Sequence, residues 1–374
     1  MTILLCGIGL IMVFSASSAA AILRYDKDVT YFFIRQLIFF GVSFIGGIII
    51  MRIPTKWYKS ISWLLIIGIT VVLVLLLIYG SITSHVQSWF YIPGTGFAIQ
   101  PSEFAKSFII IFMASFYNTL VRKKSNKIYL YLIPLSVALV LGILVLMQPD
   151  FGSAAILLAI AFCLFLSVPM KKTVLPKVIT VVGVGAVISV LVLLYSGAEI
   201  LNSEQMSRFQ FQNPCQRYKE KTGYQVCNGF IAINNGGLTG VGIGKSTQKY
   251  MYLPESHTDF IFAILLEELG LIAGILVFLI YILLLYRILK IAKEAYNLRN
   301  SMLAYGTFWL FAFHIIINLS GVLAILPLTG VPLPLLSYGG SSTINFVAML
   351  FVTQRVAIEN KTTKYKLELK NLSN

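Results

Sequence analysis

Stretches of about twenty apolar residues, unbroken by charge, recur along the whole of this chain. The nineteen residues from Ile61 to Tyr79, for instance, contain no acid and no base. A helix needs roughly 20 such residues to cross about 30 Å of hydrocarbon. Only helices and closed barrels satisfy their own backbone groups in that medium. The runs do not alternate polar with apolar, which excludes a membrane β-barrel. The pattern predicts an all-α polytopic membrane protein of about ten transmembrane helices. They fall near Thr2–Leu23, Phe32–Met51, Ile61–Tyr79, Phe104–Leu120, Ile128–Met147, Ser153–Val168, Val178–Tyr195, Asp259–Tyr286, Ser301–Leu323 and Ser342–Val356. Of 374 residues only 11% are charged, too few for a soluble protein of this length. A long loop, about 196–258, separates spans seven and eight, and a tail of about 357–374 follows span ten. No fixed-period repeat or low-complexity linker divides the chain, so 1–374 reads as one membrane domain.

A net charge of +15 would suggest nucleic acid if it were spread evenly, and it is not. One set of alternating loops, with the tail, holds 19 of the 29 Lys and Arg residues and only Glu294, Glu359 and Glu368 among the acids. It includes Arg52, Lys56 and Lys59, the run Arg122 to Lys127, Lys171, Lys172 and Lys177, and Arg287 to Arg299. The positive-inside rule puts these loops and both termini in the cytoplasm. The basic excess is therefore topology and attraction to anionic lipid, with no nucleic-acid partner implied. The first run has small residues at Ser17 to Ala21, as a cleaved signal would, but it has no basic lead and is long for a signal core. It reads as an uncleaved helix, and a short cytoplasmic lead is expected to precede it. Cys6 and Cys163 fall inside spans as packing residues. Cys215 and Cys227 share the long loop, where an oxidising exterior favours a disulfide; two free thiols are the alternative, and a zinc site is not, for want of a second Cys/His pair.

Charges at the edge of the hydrocarbon mark function by default. Around the entry to span eight, Glu255, His257 and Asp259 crowd together, with Glu267 and Glu268 about two turns further on. Asp259 at a helix start is a good cap, but a cap needs one such group; three together let a carboxylate be tuned for proton abstraction. At the entry to span four, Glu103 and Lys106 stand at i and i+3 after Gln100-Pro101-Ser102. They either pair with each other or meet an anionic substrate group. Asp150, after Pro149, is a turn or cap residue in a supporting role. Gly240, Gly242 and Gly244, beside Lys245 and Lys249, resemble a phosphate-holding loop, though without a preceding strand the signal is weak. The stretch from Ile325 to Ser342, with Pro327, Pro334, Ser337, Gly339 and Gly340, reads as a broken segment lining a cavity. His314 and Asn318 read as interhelical hydrogen-bond partners. The residues alone describe a membrane enzyme or carrier working on one face of the bilayer.

In this order the motifs resemble the SEDS family (shape, elongation, division and sporulation), nearly end to end. They comprise Ser15-Ala16-Ser17; Trp89 with Gln100-Pro101-Ser102-Glu103 and Lys106; Gln148 to Gly152; Asn234 to Gly244; Gln248-Lys249 with Leu253 to Phe260; Glu267 to Gly270; and Leu326 to Gly330 with Leu333 to Ser342. Many relatives carry Arg before the tryptophan, where this chain has Ser88. The resemblance implies a peptidoglycan glycosyltransferase of the bacterial cytoplasmic membrane. It would polymerise lipid II on the outer face, release undecaprenyl pyrophosphate, and work with a class B penicillin-binding transpeptidase and other division or elongation proteins. Carried onto this chain, Asp259 is the general base. Glu103, Lys106, Asp150, Lys245, Lys249, Glu255, His257 and Ser337 are the residues expected to meet substrate. Lys106, Lys245, Lys249, Arg208 or a divalent cation (Mg2+ or Mn2+) would neutralise the leaving diphosphate. The rival reading is a flippase for the same lipid-linked precursor.

Overall fold

A computed structural model of the chain describes residues 1–79, 81–83, 86–91, 97–124, 127–170, 176–177, 180 and 212–372. The expected seventh span, Val178–Tyr195, lies outside the described residues apart from Thr180, as do Lys171, Lys172 and Arg208. The elements run α1 (Thr2–Leu23), α2 (Tyr31–Arg52), α3 (Tyr58–Tyr79), α4 (Pro101–Arg122), α5 (Ile128–Leu146) and α6 (Phe151–Leu166). After the undescribed stretch come α7 (Lys221–Gly236), α8 (Ile261–Lys293), α9 (Leu298–Val322) and α10 (Gly340–Leu372). Eight of these helices are long and apolar enough to cross a membrane among the described residues. The shorter α6 is a ninth apolar helix among the described residues, with Asp150 as its N-cap. Between α3 and α4 three short strands, β1 (Ser81–Thr83), β2 (Val86–Tyr91) and β3 (Ala98–Ile99), pair antiparallel in the order β1-β2-β3.

Polarity decides which helices lie inside. α4 and α9 carry Ser102, Glu103, Lys106, Ser107, Asn118, Thr307, His314 and Asn318, all buried. Those groups cost several kcal/mol each in lipid unless partnered, so the helices that bear them form the centre and pack on each other. α3, apolar all round, leaves Leu64, Ile67, Val71 and Ile78 exposed on the lipid side. α2 runs along α10, tied by Gln36, whose amide nitrogen donates to Ser337 O (3.4 Å) and Thr343 Oγ1 (3.1 Å) while its oxygen accepts from Gly339 N (3.2 Å). At the opposite end Glu359 of α10 accepts from Thr55 N (2.8 Å), Thr55 Oγ1 (2.6 Å) and Asn300 Nδ2 (3.0 Å), joining three segments.

Two departures from hydropathy are physical. The long loop contains a helix, α7, whose Val226, Phe230 and Ile233 recur at helical spacing. α10 continues sixteen residues past the expected end at Val356, because its polar tail still favours helix. The segment 324–339 between α9 and α10 is irregular and dips among the helices: Leu333, Leu335 and Leu336 are buried, and Tyr281 of α8 donates to Pro334 O (2.5 Å). Non-helical backbone at that depth is tolerated because protein surrounds it. Cys215 and Cys227 are bridged, with Cα atoms 4.9 Å apart, bracketing the start of α7.

Candidate active site

Four helix starts and the dipping segment converge at one end of the bundle. Asp150 caps α6, its Oδ1 accepting from Ser153 N (3.1 Å), while Oδ2 accepts from Gln100 Nε2 (2.9 Å) and Ser102 Oγ (3.1 Å) at the start of α4. Gln100 N in turn donates to Ser341 Oγ (2.9 Å) at the start of α10. Gly152 of α6 packs so closely on Thr329 and Val331 that a Cβ there would stand 2.7 Å from Val331 Cγ2. Val331 O and Asp259 O both accept from Asn318 Nδ2, each at 2.8 Å. Asn318 of α9 thus joins the dipping segment to the turn that precedes α8.

Asp259 stands at this junction, half-buried. The helix does not begin where the sequence suggests: α8 starts at Ile261, and its N-cap is Phe260, whose side chain makes no capping bond. Asp259 therefore stands one residue before the cap position, in the turn that leads into the helix. Its Oδ2 lies 3.2 Å from where a Cβ on Gly330 would be, and Gly330 has φ +71°. Neither Ser256 nor Thr258 caps α8. Ser256 Oγ donates to Ala16 O (3.2 Å) on α1, and Thr258 Oγ1 to Glu255 O (3.2 Å) and Glu255 Oε2 (3.0 Å). Glu255, at φ +54°, pairs with Arg24 Nη1 at 3.2 Å, both side chains being about half exposed. His257 is buried between Phe32 and Tyr338, ring centroids 4.7 and 5.7 Å away. Burial pushes its pKa down to about 4, against the pull of Glu255 and with the push of Arg24, so the ring is neutral at physiological pH. Ser337 is buried below this turn, accepting from Leu333 N (2.8 Å) and donating to Thr258 O (2.7 Å).

The remaining expected residues separate into closed clusters. Lys106 Nζ donates to Glu103 Oε1 (2.6 Å) and sits 3.1 Å from His314 Nε2, all three side chains fully buried. His314 Nδ1 lies 2.7 Å from Leu310 O, so it carries the proton and leaves Nε2 to accept from the ammonium. This triad lies one turn of α9 below Asn318. Lys249 was expected at a diphosphate. Its ammonium is instead buried and has its three donors on Gly244 O (2.6 Å), Ser15 Oγ (3.1 Å) and Glu268 Oε1 (3.1 Å), leaving none for a ligand. The glycine loop is likewise not a phosphate cradle. Val241 N and Gly242 N donate to Glu267 O and Glu268 O, both at 2.9 Å, where α8 breaks at Gly270 (φ 81°). Gly240 and Gly270 must be bare for that approach, since a Cβ on Gly270 would lie 2.4 Å from Gly240 N. Glu267 binds the loop from inside, accepting from Asn235 Nδ2 (3.1 Å), Thr247 N (3.2 Å) and Ser246 Oγ. Lys245 alone of the two loop lysines is exposed. Sequence reasoning passed over Arg24 and Arg35. Arg35 stacks on Phe97 (4.4 Å) and Tyr31 (5.0 Å) next to Tyr338, and the signal that could have found it is a cation followed by Gln36 one turn inside an apolar run. Among the described residues no three His, Cys, Asp or Glu side chains come together to hold a metal ion.

Comparison with known proteins places these features. The family model described as "Cell cycle protein" (FTSW_RODA_SPOVE) matches residues 1–362. The chain is 33% identical over 385 residues to the probable peptidoglycan glycosyltransferase FtsW of Bacillus subtilis (strain 168), covering 99% of this chain and 93% of that protein. It is 35% identical over 347 residues to stage V sporulation protein E of the same organism, covering 91% and 90%. Two solved structures share the fold. One, from work on how a peptidoglycan synthase complex coordinates polymerization and crosslinking, has a TM-score of 0.72 at 22% identity over 96% of this chain and 97% of that one. The other is the rod shape determining protein RodA of Thermus thermophilus, with a TM-score of 0.65 at 21% identity over 96% of each chain.

Proposed function

Because this chain belongs to the FtsW/RodA/SpoVE family of cell cycle proteins, we propose that it is a peptidoglycan glycosyltransferase whose general base is Asp259. It polymerises lipid II on the outer face of the cytoplasmic membrane, in cell division or elongation, with both termini in the cytoplasm and a class B penicillin-binding transpeptidase as its partner. The placement of Asp259 supports this most. It is a half-buried carboxylate in the turn before α8, with its backbone held by Asn318 and its side chain beside a bare Gly330.

The reaction needs one proton removed and one diphosphate stabilised. The acceptor sugar hydroxyl attacks the anomeric carbon of the donor; the new C–O bond forms as the bond to the diphosphate oxygen breaks, and undecaprenyl pyrophosphate leaves with that electron pair. Asp259 takes the hydroxyl proton. A carboxylate fixed at its backbone performs that transfer without first reorganising. The leaving diphosphate meets exposed cations of the rim, Arg24 and Lys245, and not the sealed Lys106 and Lys249. A divalent cation (Mg2+ or Mn2+) would add to the neutralisation of the leaving diphosphate, and chelation reads that dependence directly.

The test uses the purified protein with its transpeptidase partner and lipid II. Asp259→Ala and Asp259→Asn should each cut glycan polymerisation by roughly a hundredfold or more, within the range general bases contribute, while partner binding persists. A chelator arm beside the wild type reports any divalent cation. Full polymer yield from Asp259→Ala would remove the base from the mechanism and turn the assignment to transport of the lipid-linked precursor.

A further inference from the structure

At the end of the bundle farthest from Asp259, α8 and α10 leave the apolar zone side by side and enclose a groove of about 760 Å³. From α8 and the turn after it come Arg287, Lys290, Lys293 and Glu294; from α10 come Lys361 and Lys364. Five cations thus face one carboxylate, and that carboxylate is loosely engaged by Lys290 at 3.9 Å. Arg287, Lys293, Lys361 and Lys364 have no carboxylate partner among the described residues, and all are exposed. Like charges gathered this way repel, and the fold does nothing to relieve them. It fixes them instead: Asn360 Nδ2 of α10 donates to Ile291 O of α8 (3.3 Å) beneath the groove. On α10 the lining residues Gln354, Ala357, Lys361 and Lys364 recur at helical spacing, and Ala357 leaves room between the two basic walls.

We propose that this groove binds the phosphodiester headgroup of an anionic phospholipid. Charge complementarity calls for a phosphate, and the surroundings call for one that carries acyl chains. The surface of α8 leading into the groove is apolar and exposed at Ile282, Leu283 and Tyr286, and α10 adds Ile358. A headgroup held by Arg287, Lys293, Lys361 and Lys364 would lay its chains along that surface. Each basic residue near a membrane surface contributes about 1 kcal/mol toward anionic lipid, or about fivefold in affinity. The lipid would brace the two helices on which the opposite end depends, since α8 begins beside Asp259 and α10 begins at Gly340, just past Ser337 and Tyr338.

The experiment is a thermal melt of the full chain in neutral detergent, titrated with short-chain phosphatidylglycerol, with phosphatidylcholine, and with inorganic phosphate. Phosphatidylglycerol should raise the melting temperature of the wild type, and the other two should not. Lys293→Gln/Lys361→Gln/Lys364→Gln should require at least ten times more phosphatidylglycerol for the same shift, with an unchanged melt in phosphatidylcholine. Lys56→Gln/Lys59→Gln/Lys123→Gln, which removes the same charge elsewhere on that face, should respond like the wild type. If the triple variant folds poorly, single substitutions at Lys361 and Lys364 provide the same reading, each weakening the response about fivefold. An undiminished shift in the groove variants would overturn the proposal. So would an equal loss in the control, which would make the effect bulk surface charge, or a full shift with inorganic phosphate alone, which would make the groove a site for soluble phosphate.

Discussion

His257 is a neutral ring in a place that cannot accommodate its charge. Its neighbours are Phe32 and Tyr338, and its Nδ1 has no partner among the described residues. In the unfolded chain an imidazole titrates near pH 6.5, and here burial holds it down to about 4. Between those values the unfolded state binds more protons, so stability rises with pH across the window and is lost as pH falls from 6.5 toward 4. The protein should therefore melt progressively lower over that interval, by an amount worth a few kcal/mol at its acid end, and His257→Gln should flatten the slope. A melt that is independent of pH in the wild type would mean the ring is not sealed. Gly330 poses the complementary test. Any side chain there meets a positive φ and crowds Asp259 Oδ2 at 3.2 Å. Gly330→Ala should lower kcat by about tenfold to a hundredfold, the upper figure being the cost of a 1 Å misplacement, while partner binding is kept; unchanged turnover would separate Asp259 from the reacting atoms. At this scale the sequence drew attention to Asp259, because an acid at the edge of hydrocarbon is conspicuous. It could not show that the cap belongs to Phe260, or that a glycine seventy residues away lies against Asp259, because those are facts of chain path and not of local pattern.

The broken helix α8 shows why some elements were legible and others were not. The apolar run announces the span, and Gly270 gives no hint in sequence that the helix is interrupted to admit the loop at 237–242. Read alone, Gly240, Gly242, Gly244 and Lys249 suggest an anion site. Read with α8, they are a joint: glycines for backbone contact and a lysine for Glu268. Removing one member of a buried ion pair leaves a charge without its counterpart and costs about 3–5 kcal/mol, whereas replacing both with apolar residues is often neutral. Lys249→Met and Glu268→Leu should each lower the thermal stability of the purified protein strongly, and the double variant should recover most of the loss. If the single variants melt like the wild type, the loop is not held by this pair. Glu103, Lys106 and His314 follow the same logic within α4 and α9: pairing was one of two readings open for the first two, and the imidazole completes the cluster.

Seen whole, the molecule has two poles of opposite chemistry joined by its helices. One gathers Asp150, Glu255 and Asp259 at the starts of α6 and α8, and the other gathers Arg287, Lys290, Lys293, Lys361 and Lys364 where α8 and α10 end. Hydropathy and charge counting locate both poles, because they depend only on composition along the chain; the meeting of α4, α6, α9 and α10 beside Asp259 depends on packing and could not be counted in advance. On the proposed orientation the basic pole stays cytoplasmic and Asp259 faces out, on the side proposed for glycan synthesis. That orientation is testable without an activity assay. In a chain whose Cys6 and Cys163 are replaced by alanine and whose Cys215 and Cys227 remain bridged, Lys245→Cys and Lys364→Cys each introduce one exposed thiol. A membrane-impermeant maleimide applied to cells stripped of their wall should label position 245 and leave position 364 untouched until the membrane is opened. The opposite pattern would place Asp259 in the cytosol, where no polymerising strand could reach it, and the glycosyltransferase reading would not survive that result.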